Sequence, residues 1–212
     1  MATSIFDPSK LRIVATGFGP FLDHQRNPSW EVAQAFSQAV APHFSTDCER
    51  LAVTYAEAQH FVERVGYEEG HLLVVHFGLS GRRDHVALER FAHNCRGETR
   101  DETGRDGWPD HVEPGGPLAL QTLLPLRSLA AEIDARLHEA LDLRARVSRD
   151  AGEYVCNAIY YCSLRAVERV RREGLPADAL FVHVPQLDPV RADAVGAQMG
   201  DVLCAHLSDR QA

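Results

Sequence analysis

A chain of 212 residues, 45% hydrophobic and 25% charged, is long enough to bury the core of one α/β domain or two small ones. A formal net charge of −8 with no long basic run argues against nucleic acid or an acidic membrane as a partner. No apolar run reaches bilayer-spanning length, and Met1 to Pro8 lacks the basic and apolar regions of a signal peptide, so the expected location is the cytoplasm.

The first element is a strand over Leu11 to Thr16, ended by Gly17. The Gly17-Phe18-Gly19-Pro20-Phe21 turn follows, then a polar loop to Asn27-Pro28-Ser29, with Ser29 placed to cap a helix from Trp30 to about Val40. The turn is not G-x-G-x-x-G and no Lys-Ser/Thr pair follows, which argues against a nucleotide-phosphate loop. Phe18 and Phe21 either pack in the core or wall a pocket at the carboxyl end of the strand; the pattern alone weighs the two equally.

A second strand is predicted over Leu51 to Tyr55 and a helix over Glu57 to Val65. His71 to Phe77 is a near-continuous apolar run of the kind that forms a central parallel strand. Gly78 to Arg83 reads as a turn, and Val86 to His93 as another strand carrying Glu89. Residues 95–117, rich in Gly, Pro, Asp and Arg, read as a long excursion over the surface within one domain, because the strand–helix rhythm resumes beyond them. Ser128 is placed to cap a helix over Leu129 to Ala140, Ala145 to Ser148 is a short strand, Ala179 to Val184 a buried strand stopped by Pro185, and Pro189 to Leu207 the last helix. The alternation predicts a single α/β domain over residues 1–212, after a lead over residues 1–10. It is a three-layer α/β/α arrangement on a twisted, mostly parallel sheet.

Five scattered cysteines with no C-x-x-C pair are neither a disulfide framework nor a zinc site, so no metal and no cofactor are expected. The stretch Ser148 to Tyr161 passes from a polar turn into an amphipathic helix in which Val155, Ile159, Ala166 and Val170 share a face. Cys156 falls in its first turn, where unpaired N–H groups and the helix dipole favour an anion and would lower a thiol's pKa. Taken alone, Cys156 is better read as a small buried apolar residue. A nucleophilic Cys156 needs a base, for which His183 at the end of a buried strand and His76 compete, and an orienting acid such as Glu89. Spacing does not select these from eleven histidines and many acids.

Four segments, in order, resemble the pyroglutamyl peptidase I (pyrrolidone-carboxylate peptidase) family of cysteine peptidases. They are Gly17-Phe18-Gly19-Pro20-Phe21 with Asn27-Pro28-Ser29; Gly78-Leu79-Ser80-Gly81 through Glu89-Arg90-Phe91-Ala92-His93-Asn94; Asp150-Ala151-Gly152-Glu153-Tyr154-Val155-Cys156-Asn157; and Phe181-Val182-His183-Val184-Pro185. The resemblance spans about residue 11 to about residue 205. It implies Cys156 as nucleophile, His183 as general base and acid, Glu89 as the carboxylate orienting His183, Phe18 and Phe21 holding the lactam ring, and Tyr154 and Val155 lining the same pocket. His76 then falls back to a structural role.

The implied activity is removal of an N-terminal pyroglutamyl residue from peptides through a thioester, by a homo-oligomer (dimer or tetramer). The chain departs from many relatives at Leu79, where they carry Gln, and at Arg82-Arg83, where they carry Gly-Arg. It departs again at Thr99, where they carry an Arg for which Arg96 or Arg100 would substitute. These departures leave the second oxyanion donor open. Two other readings stand beside the peptidase: a catalytically weak or silent binding protein on the same fold, and, less favoured for want of a phosphate loop, a nucleoside phosphorylase.

Overall fold

A computed structural model describes residues 6–21, 26–67, 71–106 and 110–208. Parts of the amino-terminal lead, of the polar loop before Asn27 and of the 95–117 stretch lie outside the described residues.

Apolar runs form the middle of the sheet and polar ones its edge. β1 (Arg12–Phe18), β3 (Leu72–Leu79) and β8 (Ala177–Val184) are buried almost throughout, as strands covered on both faces must be. β2 (Ser45–Leu51) is an edge strand whose side chains are mostly exposed. With β4 (Val86–Glu89) and β7 (Ala145–Ser148) they make a six-stranded sheet in the order β2-β1-β3-β8-β4-β7. Every neighbouring pair is parallel except β4 with β8, which is antiparallel. β5 (Phe91–His93) and β6 (Ala119–Gln121) form a separate two-stranded ribbon.

Helices α1 (Ser29–Val40), α3 (Leu126–Leu141) and α5 (Pro189–Ser208) cover one face of the sheet. Helices α2 (Tyr55–Arg64) and α4 (Val155–Arg172) cover the other. The chain is therefore a single-domain, three-layer α/β structure on a mostly parallel sheet, as its alternating pattern implies. Among the described residues no helix is long and apolar enough to cross a membrane.

Several local expectations are corrected. Gly17 does not end β1. It lies inside the strand, where a Cβ would meet Ser29 O at 2.5 Å and Trp30 Cα at 2.7 Å, so its missing side chain lets α1 start against the strand. Ser29 is the first residue of α1 rather than its cap, and its Oγ accepts from the Phe18 N–H at 3.0 Å. The second strand is Ser45–Leu51, because Tyr55 opens α2, capped by the Thr54 hydroxyl, which accepts from Glu57 N–H. The segment 86–93 divides at Arg90 into β4 and β5, which belong to different sheets. Helix α3 begins at Leu126 behind Pro125, and Ser128 inside it donates back to the Pro125 carbonyl.

Residues 95–117 contain no helix or strand among those described. The stretch is fastened at two buried polar residues. The Asn94 side chain donates to the Glu113 and Gly116 carbonyls and accepts from Glu113 N–H. The Asp101 carboxylate accepts from the Tyr55 N–H at the start of α2.

Candidate active site

Cys156 reaches the site because α4 starts over the carboxyl ends of β3 and β8. Its N-cap is Tyr154, with no side-chain cap, and Gly152 just upstream has φ +79°, the left-handed region that glycine takes without strain. Below the sulfur lies Gly78 of β3. A Cβ there would stand 2.7 Å from the Phe181 ring and 3.1 Å from Cys156 Sγ. The absence of a side chain at Gly78 is what admits the sulfur to the sheet end. Asn157 pins the helix start from the other side: its Oδ1 accepts from His93 N–H, and its Nδ2 donates to the His93 and Cys95 carbonyls.

His183 sits near the end of β8, opposite Gly78 of β3 and Ala87 of β4 in the strand register. Because β4 runs against β8, Glu89 pairs with Phe181 and lies diagonally across from His183 on the same sheet face. His183 Nδ1 is 2.9 Å from Glu89 Oε1. An ionised carboxylate only accepts, so Nδ1 carries the proton and Nε2 is left as an acceptor. Glu89 is fully buried and His183 nearly so. The Glu89 main chain is held as well, its carbonyl accepting from the Tyr160 hydroxyl at 2.9 Å.

Cys156 and His183 line one cavity of about 660 Å³. Phe18, Phe21, Val53, Leu79, Ala151 and Tyr154 supply its apolar wall, while the exposed Arg82, Asp150 and Glu153 bring charge to it. Phe21 stacks on Tyr154 with ring centroids 6.3 Å apart, and Tyr154 meets Tyr55 edge-on at 5.9 Å. Asn27 orders the approach to the cavity, donating to the Gly19 carbonyl and accepting from Ser29 N–H.

The structure brings Cys156, His183, Phe18, Phe21 and Tyr154 to this cavity, with Glu89 behind His183. Val155 is not among its lining. It is completely buried in the core beneath α4, because successive residues at a helix start point about 100° apart and only Cys156 and Tyr154 face the opening. Neither Arg96 nor Arg100 lines the cavity: the Arg96 guanidinium lies 5.4 Å over the Tyr55 ring, and Arg100 is exposed with its carbonyl accepting from the Tyr154 hydroxyl. The cations that do line it are Arg82 and Arg83. Leu79, also in the lining, has no polar side-chain atom to give.

The electrostatics revise one expectation. Burial pushes the Cys156 thiol up to about 12, and the nearby Glu89 charge adds to the rise. The cysteine's own backbone N–H, at the helix start, pulls the other way but is outweighed. Burial therefore favours the neutral form of the sulfur over the thiolate. At this helix start the desolvation outweighs the pull of the backbone N–H.

His76, the rival base, is bonded on both ring nitrogens, to Thr16 Oγ1 at 2.7 Å and Ser163 Oγ at 2.9 Å. It is fully buried between the Phe61 and Phe181 rings, and burial lowers its pKa to about 3. All five cysteines are free, and among the described residues no group of three or more His, Cys, Asp or Glu is arranged to hold a metal ion.

The sequence profile of the pyroglutamyl peptidase family matches residues 11–204. Pyroglutamyl-peptidase 1 of Rattus norvegicus is 28% identical over 211 residues, covering 92% of this chain and 96% of the relative. Pyrrolidone-carboxylate peptidase of Gloeobacter violaceus is 30% identical over 178 residues, covering 84% of this chain and 82% of the relative. Among solved structures, the pyrrolidone carboxyl peptidase of Fervidobacterium islandicum superposes with a TM-score of 0.75 at 28% identity, over 95% of this chain and 99% of that one. Pyroglutamyl peptidase I of Bacillus amyloliquefaciens, at 23% identity and a TM-score of 0.78, shares the fold over 93% of this chain and 97% of its own.

Proposed function

The chain belongs to the pyroglutamyl peptidase family of cysteine peptidases, enzymes that remove N-terminal pyroglutamate, and on that premise we propose that Cys156, His183 and Glu89 carry the reaction. One observation above others supports this reading. Cys156 and His183 open onto a single cavity while His183 is fixed from behind by a fully buried carboxylate.

Pyroglutamate is a neutral five-membered lactam with no ammonium to grip. Phe18, Phe21 and Tyr154 offer aromatic surface to a flat ring, and Val53 and Leu79 complete an apolar wall. As the substrate carbonyl arrives, His183 Nε2 takes the Cys156 proton and the sulfur attacks. Because the thiol's pKa is pushed up, proton transfer accompanies attack rather than preceding it. Glu89 holds Nδ1–H and stabilises the imidazolium that forms. The Cys156 N–H, in the first turn of α4, is placed to donate to the developing oxyanion. His183 then protonates the leaving amine, and water, deprotonated by the same ring, cleaves the thioester. The reaction runs on these side chains in the cytoplasm, and assembly into dimers or tetramers belongs to the same proposal.

Release of aminomethylcoumarin from its pyroglutamyl amide, beside the prolyl and alanyl amides, tests this. Activity on the first alone, lost in Cys156→Ala, is the expected result; full activity in that variant removes Cys156 as nucleophile.

A further inference from the structure

The bonds around Glu89 do not stop at His183. Glu89 Oε1, the oxygen that meets His183 Nδ1, also accepts from Arg83 Nη1 at 2.6 Å. The second oxygen, Oε2, is buried with no hydrogen-bond partner among the described residues. Arg83 Nη2 donates to the Asp150 carbonyl at 2.8 Å and to Ser148 Oγ at 3.2 Å. One guanidinium thus joins the end of β4 to the turn that leads into the cysteine helix. Its own loop is anchored beside His183, since Ser80 N–H donates to the Val184 carbonyl and Arg83 N–H to the Ser80 carbonyl.

We propose that Arg83 is a positioning residue of the catalytic site: its planar fork fixes the Glu89 carboxylate, and through it the His183 ring, while holding the 148–150 turn that aims Cys156. The inference rests on the triad reading above.

A fully buried carboxylate is costly unless it is paired. The groups facing Glu89 and His183 can be named. From α4 come the Cys156 thiol and the Tyr160 hydroxyl, both kept neutral by burial; from the β3–β4 loop comes Arg83, partly exposed on its outer side. At the cavity lie Arg82, Asp150 and Glu153, all exposed to water. Arg90, next in the chain after Glu89, lines a different depression with Arg127 and Arg149. Among the described residues Arg83 is the one permanent cation in ion-pair contact with Glu89. Without it the buried carboxylate loses the permanent cation that favours its charged form, so the acid side of the rate profile is where the loss should show.

The test is the pH profile of kcat/KM on the pyroglutamyl coumarin amide for Arg83→Gln and Arg83→Lys. The Gln variant is expected to move the acid limb up by about one pH unit, since each unit corresponds to a modest change in a partly screened charge interaction. The Lys variant keeps a cation but not the fork. It is expected to leave the limb in place and lower kcat roughly tenfold, a loss of about one hydrogen bond's worth of alignment. A merely structural role for Arg83 would lower the amount of folded enzyme without moving the limb. An acid limb unmoved in Arg83→Gln, or, should that variant not fold, a wild-type kcat in Arg83→Lys, overturns the proposal. Glu89→Gln run alongside separates the two levels: if it too is fully active, the triad reading fails, and if it is crippled while the Arg83 variants are not, only the role of Arg83 fails.

Discussion

His183 Nδ1 and Glu89 Oε1 stand 2.9 Å apart across 94 positions of sequence, and an antiparallel strand pair in an otherwise parallel neighbourhood brings them together. The contact fixes which ring nitrogen bears the proton and leaves Nε2 as the acceptor.

Glu89→Gln keeps the shape but replaces an obligate acceptor with an amide that can present N–H to the ring. The wrong tautomer then becomes accessible. A fall in kcat of about 10²–10⁴-fold with an unchanged far-ultraviolet spectrum is expected, the range a positioned acid–base group contributes. An unaltered turnover number would remove Glu89 from the chemistry.

The Cys156 thiol, held at about 12 mainly by burial, should alkylate slowly at neutral pH. Thiolate is the reactive form, and its fraction rises with pH up to the pKa. Iodoacetamide inactivation should therefore climb steadily from pH 7 to pH 10. A rate already level between pH 6 and 8 would reveal a preformed thiolate–imidazolium pair and contradict the resting thiol.

His76 stays neutral in the folded protein down to about pH 3, whereas in the unfolded chain it takes up a proton near 6.5. Its folded pKa is the depressed one, so below pH 6.5 the unfolded state binds the extra proton. Stability then falls with falling pH by up to about 1.4 kcal/mol per unit until pH 3. Urea unfolding at pH 7, 6, 5 and 4 should show that slope shrinking in His76→Asn. An identical slope would show that His76 does not differ between the two states.

Gly78→Ala places a methyl 2.7 Å from the Phe181 ring and 3.1 Å from Cys156 Sγ. Overpacking of this kind costs about 1–3 kcal/mol. A lower melting temperature together with at least a tenfold drop in kcat is expected, since the sulfur must move. Wild-type values in both measurements would mean that α4 is free to shift.

How much of this was legible in the sequence depended on burial. β3 and β8 announced themselves because they are apolar along most of their length, and α4 because its apolar positions repeat with helical spacing. β2 did not, since an edge strand reading Ser-Thr-Asp-Cys-Glu-Arg-Leu carries no apolar pattern. The starts of α1 and α3 were misplaced because Pro28 and Pro125 precede them and the serines expected to cap are spent elsewhere, Ser29 on Phe18 and Ser128 on Pro125. Motif resemblance supplied Cys156, His183 and Glu89; nothing in their spacing did. The same resemblance implies Val155 in the pocket, but helical geometry turns it inward. Gly78 and Arg83 stand in the motif segment and the turn after it, but their roles are not legible there, because a missing Cβ or an aligned ion pair leaves no periodic trace.

The reversed run of β4 makes catalysis a gauge of strand registration. Leu88 packs on the α1, α3 and α5 side while Glu89 faces α4, so sliding β4 by a single residue along β8 would bring a leucine to the imidazole and drive the acid into oil. Activity regained after denaturation therefore counts molecules whose sheet has zipped up in proper alignment, which a spectroscopic measure of total secondary structure would miss.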